Sequence, residues 1–535
     1  MANEGVDILV IGGGITGAGV ALDAAARGYR TGLVEKGDFA SGTSSKSTKL
    51  VHGGIRYLPQ FDFALVHEGL VERGLLARNA PFLVHPIGFV LPLYKNAKRP
   101  LGTPIVPPFG IGMGNLLRAG LTLYDVMAGR LGIRRPRRLG VHGAIQLAPG
   151  LQRDGLKDAF IYYDGQTDDS LLTTTVMRTA AFKGALIANY AEVTGFEQAA
   201  SRISTVIVRD TLSGETMTIP VGTVINAGGV FAERIESLAG KSNIHIEPAK
   251  GVHLTIPRDV LEIEQDAIVL PETDDGRLSF IVPWGPRVTV GTSDTPGGDL
   301  EHPTVTPEDI DYLLRHVNRY MRCQLSESDI ISSWAGYRPL ISESGSTKTS
   351  TLSRTHVVLD GPGGMVTVAG GKLTTYRRMA QDALDHVSKQ QGKPPSDITR
   401  IVQLIGSEGW QEAAAAVQSS AKTLNLKPDT VQRLGGYGAE ARTILALIEQ
   451  NPALNARIVP DLPYIMAEVV FACRYEMAIN LDDVLARRLH INFEDWKRGS
   501  DAAPAVAQVM AQELNWDAAE KDRQVAYYRE QVAIG

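Results

Sequence analysis

The sequence predicts an α/β protein with a parallel-sheet domain, an inserted β-rich domain and a C-terminal domain of α-helices. An apolar strand at residues 7–11 leads into a glycine-rich turn and a helix, and β-rich segments recur between about 186 and 295. After a Gly/Pro-rich linker at 392–396, Ala, Leu, Glu and Arg recur at helical spacing. A chain of 535 residues should form several domains, because single cores stop growing at roughly 250–300 residues. The expected division is 1–95, 140–250 and 345–392 for the sheet domain, 96–139 for an insertion, 251–344 for the β-rich domain and 398–535 for the helical domain.

Composition excludes several classes of function. Hydrophobic residues make up 44% of the chain and charged residues 21%, which is a globular balance. The net charge of -5 gives no basic field for nucleic acid. The only cysteines, Cys323 and Cys473, form no zinc pattern or disulfide framework, so we expect no metal and a reducing, cytoplasmic compartment. We expect neither a signal peptide nor a membrane-spanning helix.

The first strand opens a dinucleotide-binding motif. Gly12, Gly14 and Gly17 form G-x-G-x-x-G, which allows a tight turn, close approach of a pyrophosphate and close packing of helix on strand. The helix should run from about Ile15 to Arg27, with its N-terminus facing the phosphates. A second strand then ends at Glu35, where a carboxylate can accept from ribose hydroxyls. This pattern predicts a Rossmann-like domain but does not choose between NAD and FAD.

Two distant segments favour FAD. Residues 225–229, which read INAGG, place small residues at a strand end, where the backbone can pass close to a cofactor. Residues 369–375, AGGKLTT, form a second glycine-rich strand-to-helix turn, whose helix N-terminus could face the flavin. Each segment alone is compatible with an ordinary turn, but together with the first motif they indicate a flavoprotein.

Residues 42–58 read GTSSKSTKLVHGGIRYL, the most specific of several motifs along nearly the whole chain. The others lie at 11–17, 250–253, 291–294, 336–340, 370–376, 476–478 and 483–488. In this order they resemble the FAD-dependent glycerol-3-phosphate dehydrogenases of the D-amino-acid-oxidase-like (DAO) flavoprotein superfamily. The resemblance implies a DAO/glutathione-reductase-like fold with a helical cap. Residues 39–42 match more loosely, and 95–138 looks longer and more basic than the family's simplest members.

The resemblance implies oxidation of sn-glycerol 3-phosphate to dihydroxyacetone phosphate by hydride transfer to FAD, with electrons passed to a membrane quinone. Non-covalent attachment of FAD is expected. The predicted cofactor-binding residues are Gly12, Gly14, Ile15, Thr16, Gly17, Glu35, Lys36, Thr43, Ser44, Ser45, Lys49, Leu50, His52, Gly53, Val193, Ala227, Gly228, Gly371, Lys372, Leu373 and Thr374.

Alcohol oxidation also needs groups that bind the phosphate and take the hydroxyl proton. Guanidinium forks match phosphate oxygens, and Arg56 and Arg338 lie in glycine-flanked segments. An arginine by itself more often forms a surface ion pair, but the resemblance implies that both bind substrate. His253 is the first choice for proton acceptor; its rival is His52, which we expect to orient the flavin loop. The resemblance places Lys372 near the flavin or substrate as a fixed cation. The predicted catalytic set is thus His253, Arg338, Arg56 and Lys372, and the substrate-binding set is Arg56, Tyr57, His253 and Arg338.

Residues 95–138 mix basic and apolar residues and contain one acidic residue, Asp125. Such a segment can lie on an anionic bilayer, which would bring a quinone within reach; a solvated or subunit-facing insertion is the alternative. We expect a cytoplasmic protein that contacts the inner face of the cytoplasmic membrane, and a homodimer is left open. The basic residues are Lys95, Lys98, Arg99, Arg118, Arg130, Arg134, Arg135, Arg137 and Arg138.

Other functions remain open at this point. The same fold could oxidise a longer polyol phosphate such as erythritol 4-phosphate, or use oxygen as acceptor. An amine or amino-acid oxidase would need a carboxylate clamp rather than a phosphate clamp. A flavin-binding interaction protein without turnover is the non-enzymatic alternative.

Overall fold

The computed structural model describes residues 1–95, 101, 112–341 and 355–534. Its strands are β1 (Val6–Ile11), β2 (Thr31–Val34), β3 (Leu50–Val51), β4 (His85–Tyr94), β5 (Arg137–Arg138), β6 (Leu156–Gln166), β7 (Leu186–Ala188), β8 (Ala191–Ala199), β9 (Arg202–Asp210), β10 (Thr216–Asn226), β11 (Ile246–Pro257), β12 (Ala267–Leu270), β13 (Ser279–Trp284), β14 (Arg287–Gly291), β15 (Thr295–Pro296), β16 (Ser332–Ile341), β17 (Val357–Asp360) and β18 (Val366–Ala369).

The α-helices are α1 (Ile15–Ala26), α2 (Phe63–Asn79), α3 (Met113–Ala128), α4 (Gly140–Leu147), α5 (Asp169–Phe182), α6 (Ala232–Ala239), α7 (Pro307–Tyr320), α8 (Tyr376–Gln390), α9 (Trp410–Ser420), α10 (Pro428–Gly435), α11 (Ala441–Gln450), α12 (Met466–Tyr475), α13 (Ile491–Glu494), α14 (Ala503–Leu514) and α15 (Ala518–Ile534). The strand at Thr31–Val34 and the helix beginning at Ile15 lie where the sequence predicts them.

The first sheet has the order β17-β18-β10-β1-β2-β7, with the β8–β9 hairpin joined to β10. Strands β10, β1, β2 and β7 run parallel, and β1 and β2 are almost entirely buried, as expected for a parallel sheet covered by helices. Helices α1, α5 and α8 share a core with this sheet. The carboxyl ends of β10, β1 and β2 lie side by side, because Ile11 pairs with both Asn226 and Val34.

The second sheet has the order β16-β11-β14-β13-β12-β4-β6-β3, and separate apolar cores cover its two faces. Strands β4 and β6, at 85–94 and 156–166, belong to it, although the sequence-based division placed both segments in the first domain. Their sheet depends on pairing between distant segments, such as Ala267 of β12 with Phe89 of β4, which local sequence does not show. We therefore propose that the inserted domain takes in both strands.

The part of the C-terminal domain from about Ile458 to α15 forms its own core, whereas α10 and α11 share the apolar core of the first domain. Buried ion pairs also join the two domains. Asp38 accepts from both Arg487, at 2.5 Å, and Arg488, at 2.8 Å, and these charges are almost fully buried. Nearby, Asp168 pairs with His490 at 2.8 Å. The carboxylates of Asp168 and Asp169 and the His490 ring have metal-ligand spacing, but each already has a cationic or hydrogen-bonding partner.

The α/β fold with an inserted β-rich domain and a helical cap is confirmed.

The basic segment predicted at 95–138 contains α3, which packs against α2. Lys98 and Arg99 lie outside the described residues. Arg138 forms a 2.8 Å ion pair with Asp158, and Arg134 lies over the ring of Tyr163, so these two cations contact the edge of the second sheet. Within the described ranges, no helix is both long and apolar enough to cross a bilayer.

Candidate active site

A cleft with a cavity volume of about 550 Å³ is lined by residues of both sheets. Most of the residues predicted from the sequence meet there. They are Gly12, Gly14, Ile15, Thr16, Glu35, Lys36, Thr43, Ser44, Leu50, His52, Arg56, Tyr57, Val193, Ala227, Gly228, His253, Arg338, Gly371, Lys372, Leu373 and Thr374.

The nucleotide end is formed by backbone at the carboxyl ends of β1 and β10. Gly12 has a φ of +113°, and a Cβ added there would lie 2.6 Å from the carbonyl oxygen of Ala227. A Cβ on Gly17 would overlap the carbonyl oxygen of Gly12, so this glycine lets α1 pack against β1 from behind the cleft wall. Helix α1 begins after Gly14, and its N-terminus faces the cleft, as an anion site requires.

Glu35 closes the turn from the neighbouring strand. Its carboxylate accepts from the backbone N–H of Gly13 at 2.6 Å and from that of Gly37 at 2.9 Å. Burial raises the pKa of Glu35, and the two backbone N–H groups oppose that rise by stabilising the ionised form. Each carboxylate oxygen keeps a further lone pair, so Glu35 can still accept from a ribose hydroxyl.

The loop of the most specific motif is fastened at several points. Ser44 Oγ accepts from the backbone N–H of Ile15 at 2.9 Å, and Thr43 donates to the carbonyl of Tyr337 at 2.5 Å. The loop therefore links the N-terminus of α1 to β16 of the second sheet. Side chains from this loop consequently reach both ends of the cleft.

Three other predicted residues of this motif lie behind the cleft wall. Lys49, with a φ of 58°, points away from the cleft and forms a buried 2.7 Å ion pair with Asp169. Ser45 is buried in the 3-10 helix Thr43–Ser45. Gly53 packs against α2, where a Cβ would lie 2.5 Å from the side chain of Leu70. Their residue types suit a polar or glycine-rich cofactor loop, but tertiary packing gives them structural positions.

His253 lies on β11, in the floor of the substrate end. Its Nε2 is hydrogen-bonded to Thr48 Oγ1 at 2.9 Å, and its ring stacks on Trp334 with centroids 5.3 Å apart. Burial, with smaller contributions from Arg338 and Lys49, lowers the pKa of His253 to about 3. The ring is therefore neutral at neutral pH. Its Nδ1 has no hydrogen-bond partner among the described residues, so nothing there stabilises a second proton.

Arg338 lies on β16, the strand paired with β11. It donates to Thr292 Oγ1 at 3.0 Å and to the carbonyl of Ser293 at 3.3 Å, and Asp294 is 3.5 Å away. About a quarter of its side chain, 26%, is exposed. These contacts fix the guanidinium while part of it faces the cleft.

Arg56 and Lys372 reach the cleft from other elements, around one aromatic ring. Arg56 belongs to the 3-10 helix Ile55–Gln60 and lies 5.1 Å from the ring centroid of Tyr57. Lys372 Nζ lies 4.4 Å from the same centroid, at the start of the turn that leads into α8. Among the basic side chains that line the cleft, Arg56, Arg338 and Lys372 come from three separate segments, and they suit an anionic substrate.

Several residues at this site were not singled out from the sequence. Thr48 and Thr292 lie inside the quoted motifs, but their partners, His253 and Arg338, become visible only in the fold. Asp164 of β6 also lines the cleft and is paired with Arg73 at 2.6 Å. It lies in an ordinary strand, so local sequence carries no signal for it.

The residues of the cleft fit FAD. The glycine turn and the N-terminus of α1 suit a pyrophosphate, and Glu35 suits the ribose. Gly370 and Gly371 both have a φ of +78°, a conformation that favours glycine, and both line the cleft without a side chain, which suits a flat ring. Lys372 adds positive charge at that turn.

Comparison with protein families decides the classification. The family described as FAD dependent oxidoreductase (DAO) matches residues 7–377, and the C-terminal domain of alpha-glycerophosphate oxidase matches residues 397–521. The chain is 39% identical to glycerol-3-phosphate dehydrogenase 2 of Mycobacterium tuberculosis over 538 residues, which cover 99% of this chain and 89% of the relative. The chain belongs to the FAD-dependent glycerol-3-phosphate dehydrogenase family. FAD is its cofactor.

Other relatives agree with this family. The mitochondrial glycerol-3-phosphate dehydrogenase of Homo sapiens is 34% identical, over 97% of this chain and 72% of the human protein. A crystal structure of the glycerol-3-phosphate dehydrogenase from Bacillus halodurans complexed with FAD has a TM-score of 0.80 at 29% identity, covering 99% of this chain and 95% of that one. We propose that this cleft holds the FAD.

Proposed function

We propose that the protein oxidises sn-glycerol 3-phosphate to dihydroxyacetone phosphate. The observation that carries this proposal is the meeting of Arg56, Arg338 and Lys372 in one cleft with a nucleotide cradle at its other end. Members of the family named for the same reaction supply the substrate's identity. Bound FAD supplies the hydride acceptor.

The two arginines bind the phosphate in this proposal. Guanidinium groups present paired N–H donors that match phosphate oxygens, and both arginines lie on separate elements that face the cleft. Arg338 is held in place by Thr292 and Ser293, so little side-chain entropy is lost on binding. Lys372 adds a fixed positive charge that favours an anion over a neutral polyol.

The substrate hydroxyl must lose a proton as its carbon loses a hydride. The sequence favours His253 as this acceptor, but a pKa of about 3 makes it a weak base at neutral pH. The low pKa of His253 favours His52 as the proton acceptor. His52 lines the cleft, and its backbone N–H donates to Thr374 Oγ1 at 3.1 Å. His253 then serves by holding Thr48 and by forming the floor beside Arg338.

The electron acceptor in this proposal is a membrane quinone, reached by contact of α3 and the start of α2 with a bilayer. Phe61 and Val126 are 77% and 67% exposed, and Phe63 and Leu123 are also exposed. The opposite side of α3 is buried against the protein. Arg118 on α3 adds positive charge suited to anionic lipid.

The decisive test is anaerobic absorbance of the flavin band while sn-glycerol 3-phosphate is added to the holoenzyme. We expect rapid bleaching, little or none with glycerol, and slow bleaching in Arg338→Ala with a normal FAD content. Erythritol 4-phosphate and glycine test the longer polyol phosphates and the amine oxidases. A holoenzyme that stays oxidised with glycerol 3-phosphate would overturn the substrate assignment.

A second assay separates the acceptors. We expect the reduced enzyme to be reoxidised faster by a short-chain quinone than by oxygen at equal concentration. Vesicles containing anionic lipid should bind the wild-type protein more tightly than Val126→Asp, while bleaching by glycerol 3-phosphate stays similar in both. Fast hydrogen peroxide production with slow quinone reduction would instead identify an oxidase.

A further inference from the structure

Residues 297–304 form a segment that we call the strap, and both of its ends are fastened to β11. The backbone N–H of Gly297 donates to the carbonyl of Pro248 at 3.0 Å. At the other end, Lys250 Nζ donates to the carbonyl of Thr304 at 3.2 Å, and the same ammonium forms a 2.6 Å ion pair with Asp309. Both ends of the strap are therefore anchored to the second sheet, and its middle residues extend away from β11.

The middle of the strap reaches the first domain through one carboxylate. Glu301 forms a 2.6 Å ion pair with Lys36 and a 3.1 Å ion pair with Arg234. The Lys36 ammonium also lies 3.7 Å from the ring centroid of Phe231. Each of these side chains, together with Leu300 and Pro303 of the strap, lines the cofactor cleft.

Strand order shows what lies beneath this bridge. Lys36 follows β2, Arg234 belongs to α6 directly after β10, and β1 lies between β10 and β2 in the sheet. The glycine turn at 12–14 follows β1, so it lies between the two cations that Glu301 connects. The bridge thus spans the turn where the phosphates of a dinucleotide are expected to bind.

We propose that the strap closes over bound FAD, and that the paired contacts of Glu301 with Lys36 and Arg234 slow release of the cofactor. The proposal depends on FAD binding and not on the identity of the substrate. In this proposal Glu301 is a positioning residue, because its carboxylate holds the strap against the first domain across the cleft. Gly297 and Gly298, with φ of 74° and 123°, allow the chain to turn sharply where the strap leaves β15.

The charges predict a salt-dependent effect. The three side chains are between 37% and 68% exposed, so salt should screen their attraction. FAD release from the wild-type holoenzyme should therefore be faster at high salt. A variant that lacks the Glu301 charge should release FAD faster than wild type at low salt. Added salt should raise its rate of FAD release by a smaller factor.

The experiment measures exchange of bound FAD for an excess of radiolabelled FAD in the holoenzyme, without substrate, at 0.05 and 0.5 M NaCl. We expect Glu301→Gln to exchange about three- to tenfold faster than wild type at low salt, and to show the smaller salt effect. Arg234→Gln, which breaks one of the two pairs, should lie between them. Glu513→Gln is the matched control, because it breaks a 2.6 Å ion pair with Arg474 in the C-terminal helices.

Two results would overturn the proposal. Equal exchange rates in wild type and Glu301→Gln, with equal salt effects, would show that the strap does not retain FAD. Slower exchange in Glu301→Gln would show that Glu301 instead competes with the phosphates for Lys36 and Arg234. Neither result bears on the oxidation of glycerol 3-phosphate, which the bleaching assay tests separately.

Discussion

The nucleotide end of the cleft is built mainly from backbone, and the substrate end from side chains of distant segments. At the nucleotide end, glycines at neighbouring strand ends leave no room for a Cβ, and one carboxylate, Glu35, fastens the turn. At the substrate end, Arg56, His253 and Arg338 come from separate elements of the chain. Substitutions that add volume should therefore impair the nucleotide end, whereas substitutions that change charge should impair the substrate end.

The substitution Gly17→Ala tests most directly whether the nucleotide end is sensitive to added volume. The added methyl would overlap the carbonyl oxygen of Gly12, and neither backbone can move without separating α1 from β1. We expect a loss of more than about 3 kcal/mol in the free energy of unfolding and a protein without bound FAD. Flavin absorbance per protein and urea denaturation measure both effects. Gly435→Ala, where a Cβ meets nothing within 4 Å, should retain FAD, and a yellow, stable Gly17→Ala would refute the steric explanation.

A buried charge behind the cleft should act on stability rather than on binding. Lys49→Met leaves Asp169 buried without its ammonium partner, which should cost about 3–5 kcal/mol in the free energy of unfolding. Thermal unfolding of the apoprotein measures this loss. Lys497→Met removes an exposed ion pair with Asp501 and should change stability by less than about 1 kcal/mol. If Lys49→Met were as stable as wild type but unable to hold FAD, Lys49 would be a cofactor ligand after all.

At the substrate end, Arg56→Lys tests the need for a guanidinium fork while keeping the charge. We expect kcat/KM for glycerol 3-phosphate to fall about tenfold to a hundredfold, because a lysine makes a point contact with phosphate. FAD content and thermal stability should stay at wild-type values. Arg322→Lys, an exposed arginine paired with Glu262, is the control. An unchanged kcat/KM in Arg56→Lys would remove Arg56 from the phosphate site.

The smallest expected effect concerns pH and His253. Its pKa of about 3 lies below the unfolded value of about 6.5, so the unfolded chain binds the proton first as pH falls. The neutral ring therefore contributes stability that is present above pH 6.5 and is lost on acidification, by about 1.4 kcal/mol at pH 5.5. His253→Gln should show a flatter dependence of unfolding free energy on pH from 7.5 to 5.5. His142→Gln, an exposed histidine on α4, should keep the wild-type slope, and an equal slope in His253→Gln would contradict the low pKa.

The nucleotide end could be predicted from the sequence because its parts are close together in the chain. Gly12, Gly14 and Glu35 lie within a single strand–turn–helix–strand unit, and the distances between them follow from the local structure. Arg56 and His52, both from the motif at 42–58, line the same cleft. Helical periodicity also predicted the C-terminal domain.

Only the tertiary structure decided which polar residues face the cleft and which are buried behind it. Lys49 and Lys372 look alike in sequence, but Asp169 pairs with the first, whereas the second lies over Tyr57 in the cleft. The low pKa of His253, the assignment of β4 and β6 to the second sheet, and the bridge from Glu301 depend on contacts between segments far apart in the chain. Burial and ion pairing determine the protonation state of a side chain and whether it faces the cleft. Both depend on residues that are distant in the sequence.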